Sequence, residues 1–596
     1  MVAVPAWIKT LLTVDDSVID DQFTLTDSSS GQKSGGERQD GGQSASREEH
    51  PSETVLSPIR PMPLKEWVSG PAHEPQTDDE QFVSPVLEKS QAYVKKTFRM
   101  PDNGDAIVRD FTVGGVDGWR AFAVYIDGIS DKLIINTHML EPLMLLTRPK
   151  PEVSSQERIK VVESALLPSN QVSVVKKWEK LIPAVLTGAS VVFVDGCDSA
   201  IIVETKGWEH RSVSTPQTEA VVRGPHDAFT ENFRANTGLI RARLRSERLV
   251  TEMLSVGRLA RTDVAVMSID GLTNPKLIEE VKRRIESIDV DYLSESGTFE
   301  QFIQDSPWLS IPQILSTERP DRIATMLTEG HVAIFVGQSP YVLAVPVVFW
   351  TMVHSPEDAY LQVPFGSFLR MVRWLALFTA MLLPSFYIAV TNYHPEMLPT
   401  DLLLAIAGAR EQVPFPVIFE MLIMEFAIEL IREAGIRIPS VIGPTIGIVG
   451  ALIIGQTAVQ AGIVSPLLVI VIAVTALAGF TIPNYNLGFA VRIIRFVFLA
   501  AAAFFGFYGI GLLAAVVLVR LCVQKSFGVP LLAPIAPSMG SSPDVLMRGP
   551  AYLMNQRPAY LRTQRTWRED PITRPWSHAT KSKKKGQSGK RGDDGQ

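Results

Sequence analysis

Between Ile438 and Val491 no side chain carries a formal charge. At about 20 residues per bilayer crossing, that run is long enough for two crossings. No soluble core of ordinary size is built from so long an uncharged stretch, so the expected solvent of the C-terminal half is lipid. The chain as a whole has 596 residues, 20% of them charged, and a mean hydropathy of +0.14. Those averages join two unlike parts. The chain is polar up to about Glu357 and apolar from Gly366 to about Val519.

The net charge of −6 is divided between acidic N-terminal and basic C-terminal regions, so it identifies no partner by itself. Lys583, Lys584, Lys585 and Lys590 make the end basic, which suits either a solvated tail or contact with anionic lipid. Two cysteines, Cys197 and Cys522, argue against a disulfide framework and a cysteine-rich zinc site. The first residues lack the basic, apolar and small-residue regions of a signal peptide, so the N-terminal half is expected to stay in the cytoplasm. From Asp27 to Thr54 the chain is rich in Ser, Gly, Gln and Glu. Such a composition buries too little apolar surface to offset its ordering entropy. Residues 1–85 therefore read as a disordered arm.

An internal duplication follows. Ala123–Gly128 and Val264–Gly271 each read as a strand running into an Asp-Gly turn. Each precedes a helical stretch, near Lys132–Leu146 and Pro275–Ile288, and then a hairpin. The hairpins are Gly188–Gly196 returning as Ala200–Val203, and Gly330–Gln338 returning as Tyr341–Val345. Turn and hairpin are about 60 residues apart in both copies, which predicts two α/β units of like build. Between them lies a helix with Arg234, Arg241, Arg243, Arg245 and Arg248. Glu231 and Glu247 sit nearby and the chain is not basic, so a solvated or subunit-contacting helix is expected rather than nucleic-acid binding.

In the apolar half, Trp374–Val390, Val441–Val464, Pro466–Ile482 and Phe496–Val519 read as four spans. Basic residues before the first and after the last then face the cytoplasm. Arg492 and Arg495 resist this count, because they would face outward. A further crossing by Phe415–Leu430 would turn them inward but would move the C-terminal region outside.

Polar chemistry inside the apolar half is concentrated in two places. Glu425, Glu429 and Glu433 share one stripe of a helix opened by Pro414 and Pro416, with Glu420 off to one side. The helix is either amphipathic and interfacial, with its acids meeting Arg410, Arg432 and Arg437, or the acidic lining of a cation vestibule. In the second span Gly443, Gly447, Ala451 and Gly455 form a small-residue ridge for close helix packing. Gln456, Val459, Gln460 and Ile463 lie on another face. The two amides either bond a neighbouring helix or line a narrow pore that Val459 and Ile463 constrict.

The sequence contains no Walker A loop, His-Glu-x-x-His pair or Gly-x-Ser-x-Gly elbow, so no enzyme is expected and neither a metal nor a cofactor is assigned. The expected fold class is α/β plus a multi-span α-helical membrane domain. Two cytoplasmic α/β subdomains (86–222 and 223–355) precede a helical domain of about four transmembrane helices and an amphipathic helix (356–530), and a cytoplasmic tail (531–596) follows.

An ordered set of motifs runs through this frame. It includes Thr317-Glu318-Arg319-Pro320-Asp321, Gly330-His331-Val332-Ala333-Ile334, Ser355-Pro356-Glu357-Asp358 and Gly366-Ser367-Phe368-Leu369-Arg370. Further along come His394-Pro395-Glu396-Met397, Arg410–Pro416, Arg432–Arg437, Ile446–Gly450, Val459–Pro466 and Phe527-Gly528-Val529-Pro530. From about Asp105 to Leu561 the chain resembles the A subunits of spore germinant receptors, the GerA family. The resemblance implies a protein of the spore inner membrane that acts with a transporter-like B subunit and a lipoprotein C subunit. It also implies assembly as an oligomer, a pentamer in the family's expected form, into a nutrient-gated ion channel that triggers germination. The alternative is a non-conducting accessory subunit of the germination or dipicolinate-release machinery. No nucleic-acid partner is implied.

Overall fold

The computed structural model describes residues 81–115, 118–145, 154–163, 171–207, 215–308, 311–437, 455–539 and 544–568, together with Leu25 and Leu167. The two α/β units are topological copies. In the first, strands β1 (Ala106–Val113), β2 (Trp119–Ile126), β3 (Val172–Val175), β4 (Ser190–Val194) and β5 (Ala200–Val203) form an antiparallel sheet ordered β1-β2-β4-β5-β3. In the second, β6 (Leu249–Val256), β7 (Thr262–Ile269), β8 (Leu315–Thr317), β9 (Val332–Val336) and β10 (Val342–Val345) repeat that order as β6-β7-β9-β10-β8. The two-residue period of a strand sends alternate side chains to opposite layers. Ala121, Ala123, Val192 and Val194 enter one core of the first unit, and Phe122, Val124, Val191 and Phe193 the other. The duplicated turns and hairpins of the sequence are therefore corresponding parts of two sheets.

The helices used below are α1 (Phe233–Arg243), α2 (Pro320–Glu329), α3 (Val363–Tyr393), α4 (Thr400–Arg410), α5 (Val417–Arg437), α6 (Pro466–Phe480) and α7 (Tyr485–Val523). The arginine-rich helix α1 corrects the sequence expectation of a solvated helix. It clasps the two units together. Arg241 is buried, its Nε lies 3.3 Å from Asp105 of the first unit, and its Nη2 donates to Asn103 and Thr251. Arg234 reaches the same Asp105 at 3.2 Å. Gly238 makes this approach possible, because a Cβ there would sit 2.3 Å from the Gly128 carbonyl oxygen of the first Asp-Gly turn.

The helical part stands on the second unit. One core of its sheet, with Ala265, Met267, Ala333, Phe335 and Ala344, continues without a break into Leu377 and Ala380 of α3 and Leu487, Ala490 and Val491 of α7. The end of the bundle next to the sheet is termed proximal. Helix α3 runs from there to a distal end, where the Tyr393 hydroxyl donates to Ala503 O. Helix α5 runs back: Val417 and Met421 share a distal core with Tyr387, Phe498 and Leu499, while Glu429 reaches Arg492. Helix α6 also runs back, from Leu468 in that distal core to Ala478 in the proximal one.

Helix α7 is not the single span expected over Phe496–Val519. Gly506 breaks it with φ +58° and ψ −137°. A Cβ on Gly509 would lie 2.3 Å from Ala501 O, whereas residues eight apart in a straight helix are about 12 Å apart along the axis. The chain doubles back at Gly506, and its second limb returns Leu521 to the proximal core. Beyond it, the Ser526 hydroxyl donates to Gln313 O and Phe527 N donates to Asp305, both in the second unit.

Residues 531–568 are not a free tail where they are described. Leu531, Ala533, Tyr560 and Leu561 are buried against the second unit, and Arg568 pairs with Glu329 at 2.8 Å. Leu25, within the stretch expected to be a disordered arm, is buried in the same unit's other core. The rest of residues 1–80 and the basic end lie outside the described residues. Among the described residues, α3 and α7 are long and apolar enough to cross a membrane by length and composition, and α6, at 15 residues, is shorter.

Candidate functional site

Three groups of side chains connect the second unit to the helices and the helices to one another. The first is the junction at the root of α3. Asp358 is buried and accepts from Arg370 Nε at 3.0 Å and from both terminal nitrogens of Arg373 at 2.7 and 2.8 Å. Burial pushes the Asp358 carboxyl up, but Arg373 and Arg370 more than reverse that and hold it below the usual carboxylate range. Arg370 reaches on to Asp544 at 2.6 Å, and His354 Nε2 donates to Val545 O at 2.7 Å. Burial, with Arg370 nearby, depresses the His354 imidazole to about 4. Trp350 and Trp374 pack with ring centroids 5.4 Å apart beside this cluster. A cavity of about 210 Å³ opens between α2, the root of α3 and the segment after 544, lined in part by Arg322, His354, Tyr360, Asp544 and Arg568.

The motif Thr317–Asp321 lies behind the junction. Arg319 is fully buried, forks onto Asp321, and donates to the carbonyls of Glu219 and Pro225. The Tyr360 hydroxyl donates to the same Asp321 at 2.6 Å. A buried charge is tolerated when its partners complete its hydrogen bonding, so this motif connects α2 to the approach of α3.

The second group is the acidic helix α5. Glu420, off the stripe, turns to the distal side, accepts from Ser465 N at 3.0 Å and lies 3.9 Å from Arg410. Glu425 and Glu429 meet the two arginines that resisted the span count. Arg495 lies 2.9 Å from Glu425 and 3.1 Å from Glu429, and Arg492 lies 3.5 Å from Glu429. Arg432 holds Glu429 at 2.9 Å, and Glu433 pairs with Arg437 at 2.6 Å. The stripe therefore brings Glu425 and Glu429 to a common basic partner set, while Glu420 and Glu433 act elsewhere. The pairing with α7 could not be read from the sequence, because the partners are about 66 residues apart with a chain reversal between.

The third group is the stretch proposed to line a pore. A helix resumes at 455–460 and ends in a turn at Gly462, where φ is +64°. Gln456, Gln460 and Ile463 are exposed, and Val459 is partly buried against the distal core. A Cβ on Gly455 would lie 3.8 Å from Val469 of α6, an ordinary contact distance. Gly443, Gly447 and Ala451 lie outside the described residues.

Comparison with known proteins identifies the lineage. The family described as Bacillus/Clostridium GerA spore germination protein matches residues 92–560. The chain belongs to the GerA family. It is 39% identical over 495 residues to spore germination protein KA of Bacillus subtilis (strain 168), covering 83% of this chain and 90% of that protein. It is 39% identical over 464 residues to spore germination protein GerLA of Bacillus cereus, covering 77% and 93%. Among solved structures, the N-terminal domain of the A subunit of the Bacillus megaterium spore germinant receptor GerK3 matches 46% of this chain and 99% of its own, at 27% identity and a TM-score of 0.36. This GerA-family chain thus shares with its relatives a match that runs from the first α/β unit, through the helices, to the segment packed behind the junction.

Proposed function

We propose that this GerA-family protein is the membrane-embedded A-type subunit of a nutrient germinant receptor. In this reading several copies surround a shared ion conduit, and the α/β units face the cytoplasm. The observation that carries the reading is the unbroken core from the second sheet into α3 and α7, reinforced by Asp358, Arg370 and Arg373. A displacement of the soluble units relative to partner subunits is thereby transmitted to the helices as a rigid body. A transporter-like B subunit and a lipoprotein C subunit are the partners proposed to supply that displacement.

Two further features support the membrane reading. Helices α5 and α6 run distal to proximal and α7 makes two passes. With α3 running the other way, the described helices place the start of α3 and the end of α7 at the same proximal end, which an odd count of crossings would not allow. An even count puts the root of α3 and the segment after 523 on one side, and it puts Arg492 and Arg495 on that side as well. Both demands of the basic residues are then met at once. Gln456 and Gln460 are exposed on their own chain, and amides in lipid need partners. A second copy of the chain around a wet axis would provide them, with Val459 and Ile463 as the constriction.

The test is ion flux through the purified receptor reconstituted in vesicles. Val459→Ala is expected to raise basal flux, and Asp358→Asn is expected to weaken the response to nutrient. Vesicles with correctly inserted, oligomeric protein but no flux under any germinant condition would leave the accessory role as the better reading.

A further inference from the structure

We propose that Arg432 and Arg492 hold the phosphate of an anionic lipid in the leaflet next to the α/β units, an inference that rests on the membrane reading of the bundle. Three guanidinium groups, on Arg432, Arg492 and Arg495, surround only two carboxylates, Glu425 and Glu429. One positive charge is therefore in surplus among the described residues of this cluster. Excess charge is costly at the depth of a helix bundle in lipid, and it is normally matched by a partner.

The surplus is localised by the contacts. Arg495 is buried and committed to both acids. Arg492 touches Glu429 only at 3.5 Å and keeps 18% of its side chain exposed. Arg432 binds Glu429 through Nη1, and its Nε is buried without a hydrogen-bond partner among the described residues. Arg495 Nε and Glu425 Oε1 are likewise buried without a partner among the described residues, so the hydrogen bonding of the cluster is incomplete. A phosphate oxygen accepts from guanidinium donors, so an anionic headgroup is a fitting partner for the surplus charge.

The surroundings select a lipid over a free ion. Arg492 lies over the Phe489 ring at 4.2 Å and Arg432 over the Phe480 ring at 5.1 Å. Phe480, Tyr485, Phe489 and Ile493 are all exposed beside them. Aromatic rings collect at the level of lipid headgroups, and this apolar rim would receive acyl chain. The level is the proximal one, since Ala478 and Leu487 belong to the core that continues into the second sheet. A phosphodiester headgroup of charge −1, as in phosphatidylglycerol, matches the surplus of +1.

The full-length protein in nanodiscs or mixed micelles is examined by native mass spectrometry, with phosphatidylglycerol and phosphatidylcholine supplied equally. Retention of phosphatidylglycerol in several-fold excess is expected, and the paired variant Arg432→Gln with Arg492→Gln is expected to abolish that excess. Arg432→Lys with Arg492→Lys, which keeps the charge, should preserve most of it and serves if the glutamine pair does not fold. Equal retention of the two lipids by the wild-type protein overturns the proposal. So does an equal rise in melting temperature with inorganic phosphate alone, which would assign the site to a free anion. Failure of the protein to enter bilayers at all would instead overturn the membrane reading.

Discussion

At the scale of single residues, the decisive feature is how often a charged side chain is buried with its partners. Arg241, Arg319 and Arg495 are each sealed from solvent and held by carboxylates. Removing one side of such a pair leaves an uncompensated charge and costs about 3–5 kcal/mol. Arg495→Gln should therefore lower the thermal stability of the detergent-solubilised protein sharply, whereas Arg495→Gln with Glu425→Gln should recover much of the loss in a double-mutant cycle. A buried histidine contributes a pH dependence. His331 is buried, its Nδ1 donates to Pro346 O at 2.8 Å, and burial depresses the imidazole to about 4. In the unfolded chain it titrates near 6.5, so between those values the unfolded state binds the proton and the folded state does not. The stabilisation is complete above about pH 6.5, is lost as the pH falls towards 4, and is on the order of 3 kcal/mol. Unfolding midpoints measured at pH 7 and pH 5 should differ by less in His331→Asn than in the wild-type protein.

At the scale of elements, Gly506 decides how many passes the last helix makes. Its positive φ falls where side chains are strained, and a Cβ there would lie 3.0 Å from the Tyr393 ring. Gly506→Val is expected to reduce the yield of folded protein severely. Gly511→Ala, with nothing among the described residues within 4 Å of the added carbon, should be neutral or slightly stabilising. Size-exclusion profiles and melting curves of the two variants separate these outcomes. The root of α3 is the other decisive element. Its two arginines converge on one carboxylate from the preceding turn, so Asp358→Asn should loosen the joint while leaving both sheets intact by circular dichroism.

At the scale of the whole molecule, the chain is a duplicated pair of sheets on which a bundle is mounted at several points. The bundle's first helix and its last limb both end at the second unit. Thiol labelling in sealed vesicles, in a background lacking Cys197 and Cys522, tests the resulting topology. With a reversal at Gly506, Tyr508→Cys and Lys525→Cys label from opposite sides. A single straight crossing would leave Tyr508→Cys in hydrocarbon and unlabelled.

Local signals in the chain were sufficient for the duplication, the strand alternation and the apolar character of the last third, because each depends on periodicity or composition within a short window. The family motifs were legible for the same reason. Four features depended on tertiary structure: Arg241 buried against Asp105, Glu425 and Glu429 meeting Arg495, the described residues after 530 returning to the second unit, and the reversal at Gly506. Each joins groups far apart in sequence, and no local pattern specifies such a pair. The reversal at Gly506 is the clearest case, since a lone glycine in an apolar run reads as packing or flexibility. It becomes a turn only because Tyr393 packs against it and the chain beyond folds back until a Cβ on Gly509 would meet the Ala501 carbonyl.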